Sequence, residues 1–182
     1  MTKAQILEKL THVFRANGFN GSSLATLAAI TNLSKASLYH HFPNGKQQMV
    51  ELVLAEEGKR LQHLVLSPVS NVGAGYEGLL ESLNNVGVFY GDAVPACLMN
   101  SVLIGDEAGV FRSAVGGAVS AWCSAYSAAY TNLVSNLAEG EAWGNYAIER
   151  IQGALILCRV KASRRPLEQC LLELKCDVLA YA

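Results

Sequence analysis

The chain reads as all-α. Apolar residues recur at helical spacing, about 3.6 residues per turn, in segment after segment. No stretch alternates apolar and polar at the two-residue period of a strand, and no internal repeat appears. Serine, threonine and asparagine stand ahead of several periodic runs, where a side-chain oxygen can take up the free amides of a first helical turn.

Taken in order, Thr2 and Gln5 have capping-box spacing, and Ile6, Leu7, Leu10, Val13 and Phe14 follow as one apolar stripe. Gly18 ends this helix, and Phe19 turns inward behind it. Ser22 or Ser23 caps a second helix holding Leu24, Leu27, Ala28 and Ile30, closed by Asn32, which tolerates a left-handed backbone. Ser34 caps a third, very short helix that Pro43 stops, with Leu38 and Phe42 facing inward. Helix, tight turn, helix at this spacing is a helix-turn-helix. Asn44 caps a longer helix running to about Leu66, and Ser67–Gly75, with Pro68, is expected as a loop. A helix from Tyr76 to Tyr90, a break at Gly91–Pro95 and a short apolar helix over Cys97–Ile104 come next. Residues 110–138 fit one long helix weakened at Gly116–Gly117. Ala142–Ala162 and Pro166–Tyr181 are apolar on more than one face, which predicts burial on two sides.

Composition sets bounds. At 182 residues, 51% hydrophobic and 16% charged, the chain excludes disorder, and so little charge implies that apolar surface is covered by a partner subunit. No apolar run reaches the roughly 18 residues of a membrane span, and the N-terminus lacks a signal-peptide layout, so the expectation is a cytoplasmic protein with no membrane partner. Five cysteines, an odd number without a C-x-x-C pair, are expected as free thiols. Cys170 and Cys176 point about 120° apart on a helix and do not share a metal. Neither a metal nor any other cofactor is expected. No nucleophile–base pair, paired carboxylates or phosphate-cradling loop supports an enzyme, so no catalytic residue is assigned.

The net charge of −1 hides an asymmetry: residues 1–50 carry Lys3, Lys9, Arg15, Lys35 and Lys46 against Glu8, a net +4. A basic first quarter on an acidic remainder points to a polyanion at the N-terminal end.

These first fifty or so residues resemble the TetR family of transcriptional repressors. The resemblance rests on Ile6–Leu7, Phe14, Gly18–Phe19, Ser22, Leu27–Ala28, the run Leu33–Phe42 and Lys46. The segment Tyr39-His40-His41-Phe42-Pro43-Asn44-Gly45-Lys46 is close to the form in the family's LmrA/YxaF-like branch. Asn32 replaces the usual turn glycine, and Ala36 stands where many members have glycine. The resemblance implies an N-terminal three-helix helix-turn-helix DNA-binding domain over 1–47 and a larger helical ligand-binding and dimerisation domain over 48–182. Lys35, Ala36 and Ser37 would then enter the major groove, Lys35 donating to guanine and Ala36 touching a thymine methyl. Tyr39 and His40 would hold phosphates, joined by Ser22, Ser23, Thr26 and Ser34 around the two helix starts and by Lys46 from the far side. His41 is left unassigned.

Expected partners are double-stranded operator DNA, palindromic and bound by a homodimer, and a small-molecule effector of unknown identity that releases it. Phe89, Tyr90, Cys97, Met99, Asn100, Leu103, Phe111, Arg112, Trp122, Tyr126 and Tyr130 are ligand-binding candidates, aromatic walls with a few polar groups. Arg112 would favour an anionic or polar ligand if it points in. Ile148, Ile151, Leu155, Leu167, Leu171, Leu174 and Val178 are the expected dimer interface. A thiol-responsive repressor of the same fold, with Cys97 the first candidate, is the alternative. Arg159, Lys161, Arg164 and Arg165 read as cations at a helix C-terminus.

Overall fold

A computed structural model describes residues 1–70, 75–91, 93–104 and 106–182, with the side chains of 106–108 left out. Positions 71–74 of the expected Ser67–Gly75 loop, and 92 in the expected Gly91–Pro95 break, lie outside the described residues. Every regular element among the described residues is helical. The chain packs as two compact units, Met1–Gly58 with Cys97–Gly116, and Lys59–Ala96 with Gly117–Ala182. This packing division is not the 1–47 and 48–182 division read from the motif, whose boundary falls inside helix α4 (Gly45–Leu61).

In the first unit, α1 (Lys3–Asn17) opens with the expected capping box: the Gln5 amide donates to Thr2 Oγ1 at 3.3 Å and the Thr2 amide to Gln5 Oε1 at 2.8 Å. Its buried stripe is Ile6, Leu7, Leu10, Val13 and Phe14, as the spacing requires. Gly18 ends it at φ 68°, where a side chain would be strained and its Cβ would collide with the Ser101 carbonyl. That contact seats α7 (Leu98–Val102) on the end of α1, and Ser101 Oγ adds a 2.8 Å hydrogen bond to the Arg15 carbonyl. Arg15 also reaches Glu57 on α4 at 2.5 Å, a pair largely shielded from water. Phe19 meets Phe111 edge-on, ring centroids 5.1 Å apart.

Helix α2 (Leu24–Thr31) starts at Ser23, whose side chain accepts the Thr26 amide, and ends at Asn32 in the left-handed region (φ 53°, ψ 34°). Helix α3 (Lys35–His41) starts at Ser34, which accepts the Ser37 amide. Seven residues are too few to hold a helix in water. Leu38 and Phe42, both fully buried, anchor it, at about 1.5–3 kcal/mol for each side chain removed from water.

In the second unit the helical path continues past α4. Gln62–Leu66 is a π-turn, followed by α5 (Ser67–Ser70), so the first residues of the expected loop are helical. The wider turn leaves carbonyls open, and α6 (Gly75–Tyr90) fills them: Ser82 Oγ donates to the Val65 carbonyl at 2.6 Å and Asn85 Nδ2 to the Leu64 carbonyl at 2.9 Å. Helix α8 (Arg112–Val134) runs unbroken through Gly116–Gly117. Helix α9 (Leu137–Lys161) begins five residues before the expected Ala142, capped by Asn136. Helix α10 (Arg165–Leu179) packs on α9 and α6. Helices α8 and α9 meet closely because Gly140 and Gly144, one turn apart, lie against Thr131 and Ser127. Arg164 is not simply a terminal cation: it donates to the Gly87 carbonyl of α6 at 2.9 Å and pairs with Glu168.

Candidate functional site

The exposed side of α3 and the start of α2 form the candidate nucleic-acid surface. Lys35, Ala36, Tyr39 and His40 are exposed on α3, and Ser37 is half-buried. The Ser34 and Ser37 hydroxyls are 2.9 Å apart at the N-terminus, and Ser23 and Thr26 repeat that arrangement on α2 at 2.9 Å. Each cap thus keeps a hydroxyl at the surface beside the helix's free amides, a combination suited to phosphate. Tyr39 is 46% exposed and its ring lies beside Gly45, whose missing Cβ leaves room for it. No acidic side chain lies in the first turn of α2 or α3.

Two expected contacts are taken by the fold itself. Ser22 is fully buried and donates to the Gly18 carbonyl at 2.6 Å, so its hydroxyl is taken up in the turn after α1. Lys46 Nζ donates to the Phe19 carbonyl at 2.9 Å and sits 4.1 Å from the centroid of the Phe19 ring, so its charge is spent on the turn. His41 is half-buried, its ring between those of His40 and Phe42.

The ligand candidates do not fall in one unit. Cys97, Met99, Asn100, Leu103, Phe111 and Arg112 belong to the first, Phe89, Tyr90, Trp122, Tyr126 and Tyr130 to the second. Phe111 packs edge-on against Phe19, and Arg112 is exposed, which does not support a cation pointing into a pocket. In the second unit the aromatics form a continuous layer. Trp122 meets Tyr126 edge-on at 6.0 Å, and Trp143 stacks on Tyr126 at 5.9 Å and on Tyr130 at 4.3 Å. Tyr126 is fully buried, its hydroxyl 2.8 Å from Ser82 Oγ. Burial pushes its phenol up to about 12, against the pull of Ser82 and Trp122. The Tyr130 phenol is also pushed up to about 12, by burial first and then by Tyr181, Asp177 and Glu139. Trp143, whose indole donates to Asp177 at 3.3 Å, and Ser82 were not among the sequence candidates. A tryptophan on the apolar stripe of α9 is the signal that points to the first.

The expected dimer interface is corrected outright. Ile148, Ile151, Leu155, Leu167, Leu171, Leu174 and Val178 are all buried inside this single chain, where α9 and α10 pack on each other and α10 packs also on α6. The apolar residues left at the surface are on the opposite faces: Tyr146, Ile156, Leu157 and Val160 on α9, Leu172 and Leu179 on α10. Between the two helices on this outer side runs a groove of about 1010 Å³, lined by Tyr146, Gly153, Ile156, Leu157 and Gln169 among others. No helix of the described residues is long and apolar enough to cross a membrane.

A capped helix-turn-helix with an exposed polar recognition helix, in an otherwise helical chain, is the arrangement of a DNA-binding transcription regulator. Residues 6–53 match the bacterial regulatory proteins of the tetR family. The HTH-type transcriptional repressor DhaR of Mycobacterium sp. (strain GP1) is 23% identical over 181 residues, covering 92% of this chain and 87% of that one. The HTH-type transcriptional regulator YxaF of Bacillus subtilis (strain 168) is 30% identical over 64 residues, 35% of this chain and about a third (34%) of that regulator's length. A TetR transcriptional regulator from Legionella pneumophila has the same fold, with a TM-score of 0.82 at 17% identity over 98% of this chain and 97% of that one. So does a cysteine mutant of the TetR-family regulator CifR in complex with a 26-base-pair operator (TM-score 0.78, 16% identity, 96% and 95% covered). The match to the tetR family thus covers the helix-turn-helix segment, residues 6–53, and the solved structures share the fold of the whole chain.

Proposed function

We propose that the protein is an effector-responsive repressor that acts in the cytoplasm and binds a palindromic operator as a homodimer. The observation that carries this reading is the short helix α3: fully buried Leu38 and Phe42 hold it, while Lys35, Ala36, Tyr39 and His40 are left exposed at the surface. Lys35 and Ala36 in its first turn read bases, with Ser37 beside them. Tyr39, His40, Ser23, Thr26 and Ser34 hold phosphates and set the register. Residues 1–47 are the DNA-binding domain, and the remainder senses and dimerises. The operator-bound neighbour supports the DNA partner.

A homodimer brings two such helices to half-sites about 34–36 Å apart, one turn of DNA. The face that suits a second copy is the outer side of α9 and α10, where Val160 is 75% exposed and Ile156 and Leu172 are 57% exposed. A small-molecule trigger is favoured over a thiol trigger because Cys97, the first thiol candidate, is buried, and burial pushes the Cys123, Cys158 and Cys170 thiols up, towards their protonated form.

The test is selection of bound fragments from random DNA, then gel shifts of variants on the selected operator and on a scrambled duplex. Lys35→Ala is expected to change base preference at one position of each half-site, and Tyr39→Phe to weaken both duplexes alike. An equal loss from Lys35→Ala on the two duplexes would remove its base-reading role.

A further inference from the structure

Lys46 stands in the first turn of α4, the end of a helix that disfavours a cation, and no acidic residue shares that turn. Its place is therefore not explained by α4 itself. The side chain reaches back across the first unit instead: Nζ donates to the Phe19 carbonyl at 2.9 Å and lies 4.1 Å from the centroid of the Phe19 ring. A charge-assisted hydrogen bond and a cation–π contact to one residue hold the ammonium by two independent attractions. Phe19 is itself fixed, since its carbonyl also accepts the Ser22 amide at 3.2 Å and its ring meets Phe111 edge-on.

The bond from Lys46 to Phe19 joins residues 27 apart and encloses α2 and α3 whole. Both of its ends adjoin groups assigned above to phosphate. At one end Ser22 precedes Ser23, the cap of α2. At the other, Gly45 precedes Lys46 and lies beside the Tyr39 ring. We propose that Lys46 and Phe19 form a clasp that fixes the start of α2 relative to the Tyr39 end of α3, and that Lys46 is a positioning residue for operator binding rather than a phosphate contact. The inference rests on the operator-binding reading. A clasp acts on register, so its loss weakens the matched operator, where α3 reads bases, more than a scrambled duplex held by charge. A phosphate contact would instead weaken every duplex alike and lower the salt dependence.

The test uses the full-length protein, the operator selected from random DNA and a scrambled duplex, with Lys46→Met, Phe19→Leu and the double variant. Phe19→Leu leaves every charge in place and removes only the ring beneath the ammonium. At a temperature where circular dichroism shows each variant folded, each single variant is expected to lose about tenfold on the operator and little on the scrambled duplex. The double variant is expected to lose no more than the weaker-binding single variant, because both changes open the same clasp. A Lys46→Met loss equal on the two duplexes, with the slope of log affinity against log salt smaller by about 0.9 for each half-site, makes the lysine a phosphate contact and overturns the proposal. So do losses that add in the double variant, and so does unchanged operator affinity. In the DNA-free protein labelled with nitrogen-15, the Ser22 amide, bonded to the same carbonyl, is expected to exchange with solvent about tenfold faster in Lys46→Met. Unchanged exchange there overturns the clasp. A selection that returns no preferred DNA overturns the repressor reading, and the exchange measurement still decides the clasp.

Discussion

Substituting Gly144 by alanine is expected to destabilise the protein, although alanine is the better helix former. Within α9 the exchange gains roughly 0.8–1.0 kcal/mol of backbone propensity. The added methyl, however, would lie 2.6 Å from the Ser127 amide nitrogen and 2.8 Å from its Cα, and nearer still to its hydroxyl. Ordinary contacts between such atoms lie at about 3.5–4.0 Å, so α8 and α9 must part locally by about 1 Å. The obstacle is backbone and cannot rotate away. Overpacking costs typically about 1–3 kcal/mol, and a backbone clash belongs at or above the upper end. The net loss is about 2 kcal/mol, or a fall in Tm of about 4–8 °C for a chain of this length. Gly58→Ala in α4 is the control: no atom lies within 4 Å of its would-be Cβ, so the propensity gain of about 1 kcal/mol should survive intact. Urea unfolding at one fixed protomer concentration measures both, since dimerisation makes apparent stability depend on concentration. Near-ultraviolet circular dichroism should change in Gly144→Ala alone, because the neighbouring Trp143 is stacked on Tyr130. If Gly144→Ala proves as stable as the parent, the close approach of α8 and α9 is not what requires glycine there.

Two further outcomes follow. Val160→Glu should give a folded monomer that no longer holds the palindrome, whereas Ile151→Glu, which buries a charge inside the chain, should unfold it; sedimentation together with circular dichroism separates the two. Stability should also fall steeply in alkali: Tyr126 and Tyr130 ionise near 10 when unfolded and at about 12 when folded, so their contribution is complete below pH of about 10 and is lost progressively towards about 12. Tyr126 accounts for on the order of 2–3 kcal/mol of this, and Tyr126→Phe should flatten the alkaline limb of a stability–pH curve.

What the sequence disclosed and what it withheld divide along local and non-local physics. The Thr2–Gln5 box, the Ser23 and Ser34 caps and the left-handed Asn32 are interactions within four residues, and residue identity alone determines them. The exposed face of α3 was legible for the same reason. Ser22 was misread because adjacent helix-start hydroxyls look alike in sequence, and only the turn after Gly18 decides which one is buried. The α9 and α10 stripes show the limit of periodicity: it establishes that these helices have two apolar faces, but not which of them α6 covers. The role of Gly140 and Gly144 is invisible in the sequence and appears only where Ser127 and Thr131 lie against them. Phe111 counted as a pocket aromatic because its partner, Phe19, is distant in the chain.

The π-turn at Gln62–Leu66 holds one residue more than an α-turn would. In terms of descent, it is a place where the chain can gain or lose a single residue without breaking a helix. A shortened relative would close the turn and return the Leu64 and Val65 carbonyls to the helix ladder, leaving Ser82 and Asn85 without their acceptors. Length at this turn and polarity at those two positions of α6 should therefore vary together across related chains, as one inherited character.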